Sequence, residues 1–229
     1  AGHGKRMHSK VAKQYLLLKG EPVVVHALRA FEKAEMDEII LVAGADEVEF
    51  CKRNIVEQYG FTRVRQVVAG GKERYDSVRN GLCALKTVGF AEDGIVLIHD
   101  GARPLVKPEH IAAVIHDAEV FGGATLGVPV KDTIKVVNDG LIVDTPYRPN
   151  LYSTQTPQVF QKRIYFEAVD FALEHHLDFT DDCQLAEAIN CKVYMTVGDY
   201  TNLKITTPED IFIARMLLEK RMEESTCTK

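Results

Sequence analysis

The 229-residue sequence has no surplus of positive charge: 28 Lys and Arg stand against 33 Asp and Glu, a net charge of -5 with His neutral. Nonspecific nucleic-acid binding draws on a basic surplus, so a nucleic-acid partner is disfavoured. No apolar run approaches the roughly 20 residues of a bilayer span, so no membrane partner is expected. The five cysteines, Cys51, Cys83, Cys183, Cys191 and Cys227, include no C-x-x-C pair. Their odd number and irregular spacing fit free thiols in a reducing cytoplasm, the expected location. No His, Cys, Asp or Glu triple has zinc-site spacing. Also missing are the Gly-Lys-Ser/Thr of a P-loop, the G-x-G-x-x-G dinucleotide fingerprint and the G-x-S-x-G nucleophile elbow. What is present is an ordinary globular balance, 46% hydrophobic and 27% charged, with enough length for a sizeable core.

Apolar runs alternate with longer amphipathic stretches. A helix is expected from about Pro22, where VVVHALRAFEKA offers Val25, Leu28 and Phe31 on one face, and a strand at EIILVA (38–43). A helix over 46–59, a strand over 65–69 and a helix from about Glu73 follow. GIVLIHD (94–100) reads as the central strand, apolar until His99-Asp100. Pro108 opens the next helix and Gly122-Gly123 close it. ATLGVPV is another strand. This rhythm predicts an α/β fold with a mostly parallel sheet and helices on both faces. DTIKVVNDGLIVDTP interrupts it as a β-hairpin about Asn138-Asp139-Gly140. A lone hairpin is marginal in water, so an arm over about 132–152 that packs on a second subunit is expected. The parallel pattern is expected to resume with YSTQTPQVF, helices at 162–174 and 181–189, and a strand at 192–197. ITTPED starts a last helix, with Thr207 as N-cap and Pro208 at N1. No linker or repeat interrupts the chain, which reads as one domain over 1–229 with a projecting arm.

In an open α/β sheet, ligands bind beyond the carboxyl ends of the strands. The segments there supply Arg6, Lys13, Asp100, Arg103, Thr133, Arg148 and Lys204, a cationic set about one prominent carboxylate. Each has a bland alternative. Gly2 and Gly4 in AGHGKRM fit a flexible end as well as a phosphate-cradling turn. Arg6 and Lys13 fit solvated surface charges, and Asp100 a turn aspartate. Asp181 and Asp182 fit a helix N-terminus better than a catalytic role. Strand alternation turns His99 to the face opposite Asp100, as a structural histidine, and His175-His176 complement a helix end. No activated nucleophile or obvious base stands out. Attack of one phosphate on another nucleotide's α-phosphorus needs neither, because its nucleophile is already an anion. Its obstacle is repulsion among negative charges, which Lys, Arg, backbone N–H groups and a magnesium ion relieve.

Taken in order, AGHGKRM, KQYLLLKGEPVVVHAL, GGKERYDSVRNGL, IHDGARPLV, VPVKDTIK, STQTPQVF, TDDCQLAE and NLKITTPED resemble the 2-C-methyl-D-erythritol 4-phosphate cytidylyltransferases of non-mevalonate isoprenoid biosynthesis. The resemblance covers nearly the whole chain. It implies a Rossmann-like nucleotidyltransferase three-layer sandwich and a homodimer through crossed hairpin arms. The implied reaction joins CTP and methylerythritol phosphate, with Mg²⁺ or another divalent cation. By resemblance, Arg6, Lys13 and Asp100 are catalytic, with Asp100 also the metal-side carboxylate. Ala1, Gly2, His3, Gly4, Gly71, Lys72 and Ser77 bind the nucleotide. Arg103, Thr133, Arg148, Thr156 and Lys204 position the sugar phosphate, with Thr133 and Arg148 serving the neighbouring subunit's site. The ribitol-5-phosphate cytidylyltransferases are near relatives and the alternative substrate class; a sugar-nucleotide-binding protein without turnover is a third reading. Two departures stand out. Ala12 replaces the usual proline before K-Q-Y, which leaves the Lys13 loop less stiff, and Gly101 loosens the HDGARP turn. A strand is expected to precede Ala1.

Overall fold

The structure, a computed structural model, describes residues 12–71, 74–87, 91, 93–177 and 179–227. Ala1, Gly2, His3, Gly4, Arg6 and Lys72 lie outside these residues, as does the strand expected before Ala1.

Among the described residues, the first elements are a 3₁₀ turn, Lys13–Tyr15, and a small antiparallel pair, β1 (Leu17–Leu18) and β2 (Glu21–Pro22). Helix α1 (Val23–Lys33) follows, as VVVHALRAFEK predicts. Strand β3 (Ile39–Ala43) leads into α2 (Val48–Cys51), which continues as a π-helical segment over Lys52–Glu57. Next come β4 (Val64–Ala69), α3 (Arg74–Thr87), β5 (Ile95–Ile98) and α4 (Pro108–Phe121). Gly122 ends α4 at φ 89, its N–H donating to the Ala118 carbonyl at 2.8 Å. That left-handed cap is the reason for a glycine there. Strand β6 (Gly123–Pro129) precedes the hairpin of β7 (Val136–Asn138) and β8 (Leu141–Asp144). The chain ends with β9 (Tyr152–Gln161), α5 (Lys162–Glu174), α6 (Asp182–Ala188), β10 (Tyr194–Val197) and α7 (Pro208–Cys227).

The main sheet has the order β10-β6-β9-β5, and β3-β4 form a second, parallel pair. β10 and β6 are parallel. YSTQTPQVF departs from the expected parallel pattern, because β9 runs antiparallel to both β5 and β6. The reason is the arm. It leaves at the carboxyl end of β6 and returns to the same end, so the chain re-enters the sheet in the opposite direction without a crossover helix.

Alternation along β5 and β9 builds the layers. Ile95, Leu97 and Val159 pack with α1 and α4 around Phe31, Ile111 and Val114. Val96, Ile98 and Phe160 pack with α3, α5 and α6 around Leu82, Tyr165 and Ala186. Helix α1 also reaches the β3 side through Val24, Val25 and Leu28, so it bridges the two sheets. The hairpin stands apart. Asp139 at φ 48 and Gly140 at φ 80 make the primed turn that N-D-G predicts. Ile134, Val136, Val137, Leu141, Ile142, Val143 and Tyr147 are all exposed, Leu141 and Tyr147 at 72%. Solvated monomers rarely leave so continuous an apolar surface uncovered.

Phe160 is fully buried and its ring lies 5.1 Å from that of Tyr165. Phe160→Ala is expected to cost about 3–5 kcal/mol of stability, read as a lower urea midpoint.

Candidate active site

The register of β5 against β9 builds the site. Ile98 faces Gln158, so one pleat further on Asp100 meets Thr156. There the Asp100 backbone N–H donates to the Thr156 hydroxyl at 3.1 Å. The same hydroxyl lies 3.0 Å from His99 Nδ1, and His99 Nε2 lies 3.2 Å from the Arg103 carbonyl. A carbonyl only accepts, so Nε2 carries the hydrogen. Burial pushes the His99 pKa down to about 4, so near neutral pH the ring holds that one proton. Nδ1 is therefore an acceptor, and the Thr156 hydroxyl donates to it. Phe31 covers the ring at 4.8 Å between centroids. His99 is thus the structural histidine that alternation predicts.

Asp100 points the other way. Its Oδ2 lies 2.9 Å from Lys204 Nζ and 3.4 Å from Arg103 Nε. Arg103 also donates through Nη1 to the Asn202 carbonyl at 2.7 Å. Burial is the largest influence on the Asp100 carboxyl and acts to raise its pKa. Lys204, Arg103 and His99 together outweigh it and hold the carboxyl at about 2. Two cations around one carboxylate leave a net positive site suited to phosphate. Among the predicted residues, the structure brings together Asp100, Arg103, Thr156 and Lys204.

Asn202 escaped the sequence reading. It is fully buried, and its Nδ2 donates to the Thr156 carbonyl at 3.0 Å and to Gln155 Oε1 at 3.3 Å. It ties the segment before Lys204 to β9. Its place two residues ahead of Lys204 in NLK is the one signal that the sequence offers.

The other predicted residues sit elsewhere in the fold. Gly71 N–H donates to Ser77 Oγ at 3.1 Å, folding the G-G turn onto the start of α3. A Cβ on Gly71 would come within 2.0 Å of the Asp76 Cβ, so only glycine fits. Lys13 opens the 3₁₀ turn before β1. Thr133 and Arg148 are exposed at the base of the arm, where Arg148 Nη1 donates to the Lys131 carbonyl at 3.2 Å. Among the described residues, no hydrogen bond or ion pair joins either of them to Asp100, Arg103 or Lys204. Asp181 caps α6 by accepting from Gln184 N–H at 3.1 Å, and buried Asp182 accepts from Tyr165 O–H at 2.6 Å. Both have the structural roles expected of a helix N-terminus.

The family model described as IspD, 2-C-methyl-D-erythritol 4-phosphate cytidylyltransferase, matches residues 1–220. The chain belongs to this family. It is 44% identical over 220 residues to the protein of that name from Geotalea uraniireducens, covering 96% of this chain and 94% of the relative. It is 46% identical over 225 residues to that from Alkaliphilus oremlandii, covering 97% and 94%. Among solved structures, the 4-diphosphocytidyl-2C-methyl-D-erythritol synthase of Anaerococcus prevotii aligns with a TM-score of 0.81 at 31% identity, covering 90% of this chain and 93% of that one. The mixed sheet between two helical layers is therefore the Rossmann-like nucleotidyltransferase fold of the IspD family.

The ion pairs make a pH prediction. A carboxyl held below its ordinary 3.8 contributes stability that is present above about pH 3.8 and lost as pH falls towards 2. Lys204→Met removes the strongest opposition to burial. Its Asp100 carboxyl is expected to protonate at higher pH than in the unaltered protein, measured by ¹³C NMR titration; an unchanged midpoint would contradict the ion-pair account.

Proposed function

We propose that the chain transfers the cytidylyl group of CTP to 2-C-methyl-D-erythritol 4-phosphate. The products are 4-diphosphocytidyl-2-C-methyl-D-erythritol and pyrophosphate, a step of non-mevalonate isoprenoid biosynthesis. Family membership over residues 1–220 supports the activity. The observation that carries the chemistry is the Lys204–Asp100–Arg103 cluster at the end of β5. A phosphate oxygen of the acceptor attacks the α-phosphorus of CTP, the α–β bond breaks, and pyrophosphate leaves. The acceptor phosphate is an anion already, so no side chain need remove a proton from it. The enzyme's work is to align the two phosphates in line and offset their repulsion.

In this account Arg6 and Lys13 stabilise charge at the α-phosphate. Ala1, Gly2, His3, Gly4, Gly71, Lys72 and Ser77 hold the nucleotide. Lys204 and Arg103, fixed on Asp100, present positive charge to the sugar phosphate, with Thr156 setting the turn beneath them. Mg²⁺ or another divalent cation fits beside Asp100. Magnesium is commonly bound by one or two carboxylates plus substrate phosphates, and both ion pairs to Asp100 engage the same oxygen, Oδ2. When bound, the ion would neutralise phosphate charge. Among the described residues, no group of three or more His, Cys, Asp or Glu could hold a metal by itself, so substrate oxygens would supply the remaining ligands.

The exposed apolar hairpin supports a homodimer with crossed arms, which would carry Thr133 and Arg148 to the partner's site. The chain then acts as one domain with a projecting arm. Among the described residues, no helix is long and apolar enough to cross a membrane, and a cytoplasmic location fits free, partly buried thiols.

Pyrophosphate release from CTP is expected with methylerythritol phosphate and not with ribitol 5-phosphate. Release with ribitol 5-phosphate alone would move the substrate assignment to the near relative, and release with neither would favour a binding protein. Shared sites predict that a heterodimer of Arg148→Ala and Lys13→Ala subunits recovers part of the activity that either homodimer loses. No recovery in a verified heterodimer would count against arm exchange.

A further inference from the structure

Lys13 lies on a single 3₁₀ turn, Lys13–Tyr15, with no buried residue of its own. One turn closed by the Tyr15 N–H to Ala12 carbonyl bond at 2.9 Å is a weak support for a side chain that must meet a phosphate. The residue before K-Q-Y is Ala12, which has no ring to fix its φ. The stiffness has to come from elsewhere.

Tyr15 supplies it. Its hydroxyl lies 2.9 Å from Glu47 Oε2 and 3.0 Å from Cys51 Sγ, both more than thirty positions away in sequence. Its ring meets Phe50 edge-on at 5.1 Å. The protons order themselves. A carboxylate only accepts, so Tyr15 O–H donates to Glu47, and the Cys51 thiol, kept neutral chiefly by burial, donates to the phenol oxygen. Glu47 is fixed in turn, since Gly44 N–H donates to the same Oε2 at 3.0 Å. A Cβ on Gly44 would stand 2.8 Å from that oxygen, so the glycine is what lets the carboxylate close over the end of β3. Cys51 is 1% exposed, inside the core shared by α1, β3 and α2.

We propose that Tyr15, clamped by Glu47 and Cys51, is a positioning residue that holds the Lys13 turn in its catalytic place. This rests on the assignment of Lys13 made above. Ala12 already has φ -62 and ψ 139, values a proline adopts without strain, which gives the proposal a direct test by rescue.

Pyrophosphate release from CTP and methylerythritol phosphate is measured in the full chain, beside amide hydrogen exchange at Tyr15 and Leu16, whose N–H groups close the turn. Tyr15→Phe keeps the ring and removes the hydroxyl. It is expected to lower kcat about tenfold and to speed exchange at both amides, with KM for the polyol phosphate unchanged. Adding Ala12→Pro to Tyr15→Phe should slow exchange again and restore most of kcat. Glu47→Ala should match Tyr15→Phe, whereas Glu47→Gln, which keeps an acceptor, should not. Unchanged exchange in Tyr15→Phe would overturn the clamp. Faster exchange with unchanged kcat, or slowed exchange in the Ala12→Pro double variant without recovery of kcat, would overturn the positioning role. Lys13→Met separates the two claims: full activity in that variant would remove the catalytic assignment and the positioning role with it, while the exchange data would still report the clamp. Failure of the cytidylyl-transfer reading itself would show as no release by the unaltered protein.

Discussion

Two strands of opposite direction meet at Asp100, and one hydroxyl joins them. Thr156 on β9 accepts the Asp100 N–H and donates to His99 Nδ1, while His99 Nε2 donates to the Arg103 carbonyl. The turn from His99 to Arg103 is thereby closed on itself and fastened to the neighbouring strand. Everything charged in the site depends on that closure. It aims the Asp100 carboxylate outward, and Lys204 and Arg103 gather on it. A protonated His99 would set an N–H against the donating Thr156 hydroxyl and place a third positive charge beside the cluster. Burial, by keeping the ring neutral, preserves the arrangement.

The antiparallel course of β9 makes this possible. Had β9 run parallel to β5, it would have entered the sheet from the far end. The hairpin connection removes the need for a crossover, returns the chain at the carboxyl end of β6, and lays Thr156 opposite Asp100. The same detour builds the arm, whose apolar side chains are exposed and which the proposed dimer would cover. Site and assembly would then share one topological cause. The segment from Asp199 to Lys204 closes the remaining side: Gln155 Nε2 donates to the Asp199 carbonyl at 2.8 Å, and Asn202 ties to Thr156.

Much of this was legible in the sequence because it depends on local rules. Pro108 and Gly122 mark the ends of α4, N-D-G fixes the hairpin turn, and the apolar run GIVLIHD makes β5 a buried strand ending at the site. Strand alternation alone assigns His99 and Asp100 to opposite faces. The direction of β9 was not legible, because YSTQTPQVF has the pattern of a buried strand in either direction and the arm decides which. Asn202 was missed because its role is set by residues some 46 positions away. The Tyr15–Glu47–Cys51 cluster was invisible for the same reason. None of its members carries a periodic or motif signal for the other two.

The central claim is that a neutral, Nε2-protonated His99 organises the turn that carries Asp100 and Arg103. A ¹⁵N–¹H correlation spectrum of the selectively labelled histidine side chains measures this directly. The account predicts that His99 shows a protonated Nε2 and an unprotonated Nδ1 at neutral pH, and that it holds that state as pH falls from 7.5 to about 5, given a pKa near 4. An imidazolium at neutral pH, or the Nδ1-protonated tautomer, would contradict it.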